Sequence, residues 1–169
     1  MLVPVVVWAI ASGEMRIAFL LFMVAAISDA VDGFLAKRFG MTTELGAYLD
    51  PLADKVLIVS IYLTLGFNGI IPRWIVILVV SRDIMIVGAI LLSWLVDKPV
   101  RVKPLKISKL NTAVQIIYAG LVLAAFGFEV DAGRLLTIVM AVVAALTLLS
   151  VGFYVAEWVR HMNESETDH

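Results

Sequence analysis

The sequence predicts an all-α fold, a bundle of six helices integral to a membrane. Three observations carry that expectation. Hydrophobic residues fill 62% of the 169 positions and charged residues only 16%, with a mean hydropathy of +1.03; soluble domains are nearer half apolar and a quarter charged. Several apolar runs approach the roughly 20 residues that cross a bilayer as a helix. Breaks fall at Gly13, Gly40, Gly69 with Pro72, Pro99 with Pro104, and Gly133, residue types that punctuate helices.

The expected helices span 1–12, 15–39, 44–65, 71–96, 107–125 and 134–159. The first is apolar but short for a span. It predicts a partial helix, or a sequence whose start lies downstream of the natural one. No basic n-region or small-residue cleavage site accompanies it, so no cleavable signal peptide is expected. The second and third are apolar at their outer halves and acidic toward the turn between them. The fourth, fifth and sixth are apolar along most of their length. One membrane domain over 1–161 is expected, without internal repeats. The polar segment 162–169, MNESETDH, is expected to be a disordered tail.

Basic residues orient the bundle. Lys37, Arg38, Lys98, Arg101, Lys103, Lys106, Lys109 and Arg160 fall on one side, and Arg16, Arg73 and Arg134 on the other. Eight against three places both termini in the cytoplasm by the positive-inside rule. Lys55 and Arg82 fall within spans, and each needs a partner or water. A net charge of −1 argues against a nucleic-acid partner. The absence of cysteine removes disulfides, thiol catalysis and thiolate metal sites.

Asp29, Asp32, Asp50 and Asp54 stand inside the second and third helices. Carboxylates in hydrocarbon are costly and usually serve function. Asp29 and Asp32 are three apart, and Asp50 and Asp54 four apart, so each pair shares a helix face. Gly33, Ala36 and Gly46 lie on or near these faces and leave room for close packing or a ligand. Asp29 and Asp54 each lie about a dozen residues from the turn, roughly 15–18 Å of helix rise. Two adjacent antiparallel helices would bring the four acids together. Such a cluster must be partly protonated or balanced by a multivalent cation. Oxygen donors without His or Cys favour magnesium, manganese or calcium, and His161 and His169 are too near the terminus to join them. The bland alternative is helix-packing hydrogen bonds or snorkelling acids.

The spacing D-x2-D-G-x2-A-[R/K]-x8-G-x3-D-x3-D is met by Asp29, Asp32, Gly33, Ala36, Lys37, Gly46, Asp50 and Asp54. It resembles the signature of the CDP-alcohol phosphatidyltransferases, six-helix membrane enzymes of phospholipid synthesis. The resemblance implies that Asp29, Asp32, Asp50 and Asp54 hold two Mg2+ (or Mn2+) ions against the diphosphate of CDP-diacylglycerol. It also implies that Asp54 is the catalytic base. Gly33, Ala36 and Gly46 would give the nucleotide space, Lys37 would meet a phosphate and Thr43 would face the nucleotide. The chain departs from the family in carrying Lys37 where Arg is usual, with Arg38 beside it. It also opens at MLVPVVVWAI, where the family usually has a polar, Asn-containing segment with an Arg.

The second half bears on the acceptor. The stretches SRD from Ser81 and SKLNTAVQ from Ser108 are more similar to CMP-forming cardiolipin synthases, which use phosphatidylglycerol, than to phosphatidylglycerophosphate synthases, which use glycerol 3-phosphate. Arg82, Lys106 and Lys109 are then candidates for the acceptor's phosphodiester; Arg82 with Asp83 and Lys109 with Asn111 read equally well as helix-end ion pairs and caps. A small cation or proton transporter is the alternative from another class, against which the crowding of acids into one hairpin counts. Gly120, Gly127 and the small residues of 141–145 would suit a homodimer or internal packing. The expected location is a bacterial inner membrane, with the site facing the cytoplasm.

Overall fold

Every apolar run forms a helix in the computed structural model: α1 (Val3–Ala11), α2 (Met15–Phe39), α3 (Glu44–Phe67), α4 (Arg73–Leu95), α5 (Lys106–Gly127) and α6 (Gly133–Glu166). The backbone is described for residues 3–39, 44–95 and 106–166, and side chains within them except 29–30, 32–39, 44–54, 89–95, 106 and 156–166. No strand occurs among the described residues. The helix ends lie within about two residues of those expected, except at α6. That helix runs past 159 and takes in residues 162–166 of the segment expected to be disordered. Hydropathy marks where the apolar run stops, but 160–166, RHMNESE, contains neither Gly nor Pro to stop the helix.

The turns at one end of the bundle are tight and have clear causes. Gly13 and Gly69 adopt φ of 79° and 70°, the left-handed region that glycine enters without steric cost. Ahead of α6, the Gly133 N–H donates to Asp131 Oδ1 at 3.3 Å.

α3 and α5 touch one another at the centre of the bundle. α1 and α2 pack on one side of this pair, with α1 touching both α2 and α3, and α2 touching α5. On the other side, α4 packs on α3, α6 on α5, and α4 on α6. The result is two four-helix groups sharing α3 and α5. Among the described residues α2 and α3 do not touch directly; α1 and α5 lie against both. The direct hairpin packing expected between them is therefore absent from the described part, and their acid-bearing halves lie outside the described side chains.

Specific polar contacts lock this arrangement. Tyr62 Oη donates to the Gln115 carbonyl at 3.1 Å, joining α3 to α5. Asn68 Nδ2 donates to the Ile10 carbonyl at 3.0 Å, tying α1 to the end of α3. Arg16 Nε donates to the Gly127 carbonyl at 2.6 Å. The close approach of the two backbones there favours glycine, because a Cβ at 127 would stand 3.0 Å from the Arg16 backbone nitrogen. Gly120 likewise faces Phe22, so both glycines serve packing within the chain.

The outer surface is apolar. Phe67, Ile77, Ile84 and Trp8 are 84%, 67%, 65% and 62% exposed, and α6 turns Leu135, Ile138, Val142, Leu148 and Phe153 outward. Soluble monomers rarely expose so continuous an apolar surface; lipid accommodates it, and helices satisfy their own backbone there. Ile107–Gly127 and Gly133–Val155 are long and apolar enough to cross a bilayer. Among the described residues, Met15–Ser28 in α2 and Lys55–Phe67 in α3 are further apolar stretches.

Candidate active site

Asp29, Asp32, Gly33, Ala36 and Lys37 all belong to α2, and Gly46, Asp50 and Asp54 to α3. The i, i+3 and i, i+4 spacings are thus realised on helices. Their side chains, and Thr43 altogether, lie outside the described residues, as does the side chain of Lys106. Among the described residues there is no group of three metal-ligating side chains.

Immediately after Asp54 the structure places a buried charged cluster. Lys55 Nζ stands 2.8 Å from Asp83 Oδ1, and Arg82 Nη1 stands 2.6 Å from the same oxygen. One carboxylate oxygen therefore serves two cations, one from α3 and one from α4. Arg82 is almost wholly buried, at 1% exposure. Its Nη2 donates to Ser108 Oγ at 2.6 Å and to Ser150 Oγ at 3.2 Å, and its Nε donates to Ser150 Oγ at 3.3 Å. The guanidinium fork thus fastens α4 to α5 and α6, a task its fixed geometry suits.

One helical turn along, Thr147 Oγ1 donates to Asn111 Oδ1 at 3.1 Å. Asn111 and Gln115 are fully buried. Among the described residues, Asn111 Nδ2 and both polar atoms of the Gln115 amide find no partner. Buried amides are normally satisfied by protein or by ordered water, so this face of α5 keeps polar capacity in reserve.

Two sequence expectations resolve here. Lys55 and Arg82 each needed a partner, and both have Asp83. The Arg82–Asp83 ion pair forms, but inside α4 and not at a helix end. Asn111 is no cap: it lies within α5 and faces α6. Lys109 is exposed. Sequence reasoning named Asp83, a fifth acid in a span, only as a local partner of Arg82 and missed its link to Lys55. A signal existed, because Lys55 lies twelve residues before the end of α3 and Asp83 ten after the start of α4. Antiparallel neighbours joined by a short turn place such positions at one depth.

The stretches SRD and SKLNTAVQ, 27 residues apart in sequence when counted from Ser81 to Ser108, meet through Arg82 and Ser108. With α3 they line one four-helix group, while α2 belongs to the other. α3 carries half of the acid signature and is common to both.

Comparison with known proteins shows the family. The family model for CDP-alcohol phosphatidyltransferase matches residues 1–153. Human cardiolipin synthase (CMP-forming) is 33% identical over 169 residues, covering 90% of this chain and 56% of its own. A probable phosphatidylglycerophosphate synthase of Mycobacterium tuberculosis is 33% identical over 144 residues, covering 85% and 66%. The chloroplastic CDP-diacylglycerol–glycerol-3-phosphate 3-phosphatidyltransferase 1 of rice is 34% identical over 170 residues, covering 89% and 51%. The chain thus spans between about half and two thirds of these relatives' lengths. With the acid signature on two helices and the family match over nearly all of its length, this six-helix membrane chain belongs to the CDP-alcohol phosphatidyltransferase family.

Proposed function

We propose that the protein transfers a phosphatidyl group from CDP-diacylglycerol to phosphatidylglycerol, forming cardiolipin and releasing CMP. The observation that carries this reading is the eight-position acid signature, borne by α2 and α3 in a chain of this family. The acceptor assignment is supported by the bond between Arg82 and Ser108, which joins the two stretches that resemble cardiolipin synthases. Similarity to the human enzyme of that name supports it as well. Glycerol 3-phosphate is the second reading, favoured by the comparable identity to the mycobacterial and rice proteins. With the family established, ion transport has no observation in its favour.

In the proposed reaction the acceptor hydroxyl oxygen bonds to the phosphorus that carries diacylglycerol. The bond from that phosphorus to the CMP oxygen breaks, CMP departs with the electron pair, and Asp54 takes the hydroxyl proton. The donor set suits a hard cation, since Asp29, Asp32, Asp50 and Asp54 offer carboxylate oxygens alone. Two Mg2+ or Mn2+ ions held there would offset the charge of the diphosphate and of the departing CMP. Gly33, Ala36 and Gly46 leave space for the nucleotide, with Lys37 and Thr43 meeting its polar groups. Arg82, Lys106 and Lys109 supply positive charge on the acceptor side. The basic residues near the α2–α3 and α4–α5 connections support a site facing the cytoplasm.

The test is reconstitution of the purified protein with CDP-diacylglycerol and Mg2+. Phosphatidylglycerol should yield cardiolipin and equimolar CMP, and EDTA should abolish both. Product from glycerol 3-phosphate alone would overturn the acceptor assignment, and turnover persisting in EDTA would overturn the metal assignment.

A further inference from the structure

We propose that Lys55 and Asp83 form a positioning pair for the metal-binding acids of α3: their bond fixes the roll of that helix and so the aim of Asp50 and Asp54. This rests on the function proposed above. On α3 the buried stripe Leu65, Ile61 and Ile58 leads, at steps alternating between four and three residues, to the register position of Asp54, with Asp50 one turn beyond. On α2 the buried stripe Ala18, Phe22 and Ala25 leads at the same spacing to Asp29 and Asp32. Both acid pairs thus continue stripes that are buried in the bundle. Among the described residues α2 and α3 do not touch, so neither helix aims the other. The aim of α3 comes from the helices that hold it.

Among the described residues three side-chain bonds tie α3 to other helices, one to each. Asn68 reaches the Ile10 carbonyl of α1 at 3.0 Å, Tyr62 the Gln115 carbonyl of α5 at 3.1 Å, and Lys55 Nζ the Asp83 Oδ1 of α4 at 2.8 Å. The first two hold the half of α3 remote from the acids. Lys55 stands one residue from Asp54, about 100° around the helix. Its partner is itself held, because Arg82 Nη1 donates to the same Asp83 oxygen at 2.6 Å, and Arg82 also donates to Ser108 and Ser150. Lys55 is therefore pinned to a point common to α4, α5 and α6. Side chains reach about 5–6 Å from a helix axis, so a roll of roughly 10° moves their ends by about 1 Å. Metal-binding and catalytic groups must stay within about 0.5 Å of productive geometry. A buried ion pair is a poor source of net stability, since apolar side chains pack there at lower cost; fixing register is its best-attested use. The bond between Lys55 and Asp83 serves that use where the acids need it.

The experiment reads metal binding apart from turnover. Mn2+ affinity is measured by electron paramagnetic resonance without lipid substrates, and kcat and the acceptor KM are measured by CMP release, both well below each variant's melting temperature. Lys55→Met leaves Asp83 paired with Arg82, so it should melt close to the unmutated protein. It should weaken Mn2+ binding and lower kcat about tenfold or more, the effect of losing a group that supports metal ligands, with the acceptor KM little changed. Lys55→Arg, which still reaches Asp83, should restore both. Asp83→Asn should show the same losses, and Lys55→Met combined with it should lose no more than the larger single variant, because the two residues act as a unit. The two Lys55 variants decide the matter even if Asp83→Asn fails to fold. Tyr62→Phe removes the tie two turns away and should lower the melting temperature slightly without moving Mn2+ affinity. Unchanged Mn2+ affinity and kcat in Lys55→Met overturn the proposal, as does a loss confined to the acceptor KM or additive losses in the double variant. A loss in Tyr62→Phe equal to that in Lys55→Met overturns it too, since any loosening of α3 would then suffice. Failure of the unmutated protein to release CMP is the separate result that overturns the functional reading.

Discussion

Asp54→Asn should lower CMP release by about 10³-fold at saturating substrates, within the range of 10²–10⁴ that a positioned general base contributes. The substitution keeps size and hydrogen-bonding capacity but removes the proton acceptor and one metal-binding oxygen charge. Its melting temperature should stay close to that of the unmutated protein, because removing one of four clustered like charges relieves repulsion. A variant that folds and turns over at an undiminished rate would show that Asp54 is not the base. A variant rescued by excess Mn2+ would place its role in metal binding and not in proton transfer.

The largest stability effect should come from Asp83→Ala. Asp83 is 3% exposed and is the partner of both Lys55 and Arg82. Its removal leaves two like charges facing one another in the bundle. Breaking a buried pair in this way costs about 3–5 kcal/mol. For a chain of this size that corresponds to a melting temperature lower by roughly 6–20 °C, measurable in detergent by intrinsic fluorescence. Replacing all three charges together, as in Lys55→Met with Arg82→Leu and Asp83→Leu, should recover much of the loss. The penalty arises from stranded charge and not from the pair's own net worth. If Asp83→Ala melts like the unmutated protein, the cluster does not hold α3, α4, α5 and α6 together.

These two carboxylates illustrate what the sequence made legible. Periodicity and spacing put Asp50 and Asp54 on one helix face, because helix geometry is regular; the role expected of Asp54 came from the resemblance of the signature to a family. Helix-breaking residues located the break between α1 and α2 at Gly13, that between α3 and α4 at Gly69 with Pro72, and the start of α6 at Gly133. The end of α6 escaped them, since a helix does not need apolar residues to continue through RHMNESE. Asp83 escaped for another reason. Beside Arg82 in sequence, it read as a local partner, whereas its link to Lys55 spans 28 residues and depends on α3 packing against α4. The packing of α1 and α5 against both α2 and α3 was also hidden, because chain adjacency says which helices follow one another and not which side chains interdigitate. Tyr62 with Gln115 and Asn68 with Ile10 are contacts of that kind. They are single hydrogen bonds to backbone oxygens, and no motif announces them.

The central claim is that acids on α2 and α3 hold divalent cations jointly. Mn2+ titration followed by electron paramagnetic resonance tests it without reference to catalysis. Two Mn2+ per chain are expected, magnetically coupled because carboxylate-bridged ions of such sites lie about 3.5–4 Å apart. Both should be weakened by Asp29→Asn on one helix and by Asp50→Asn on the other. A single uncoupled ion, or ions that respond to the acids of one helix alone, would contradict the shared site.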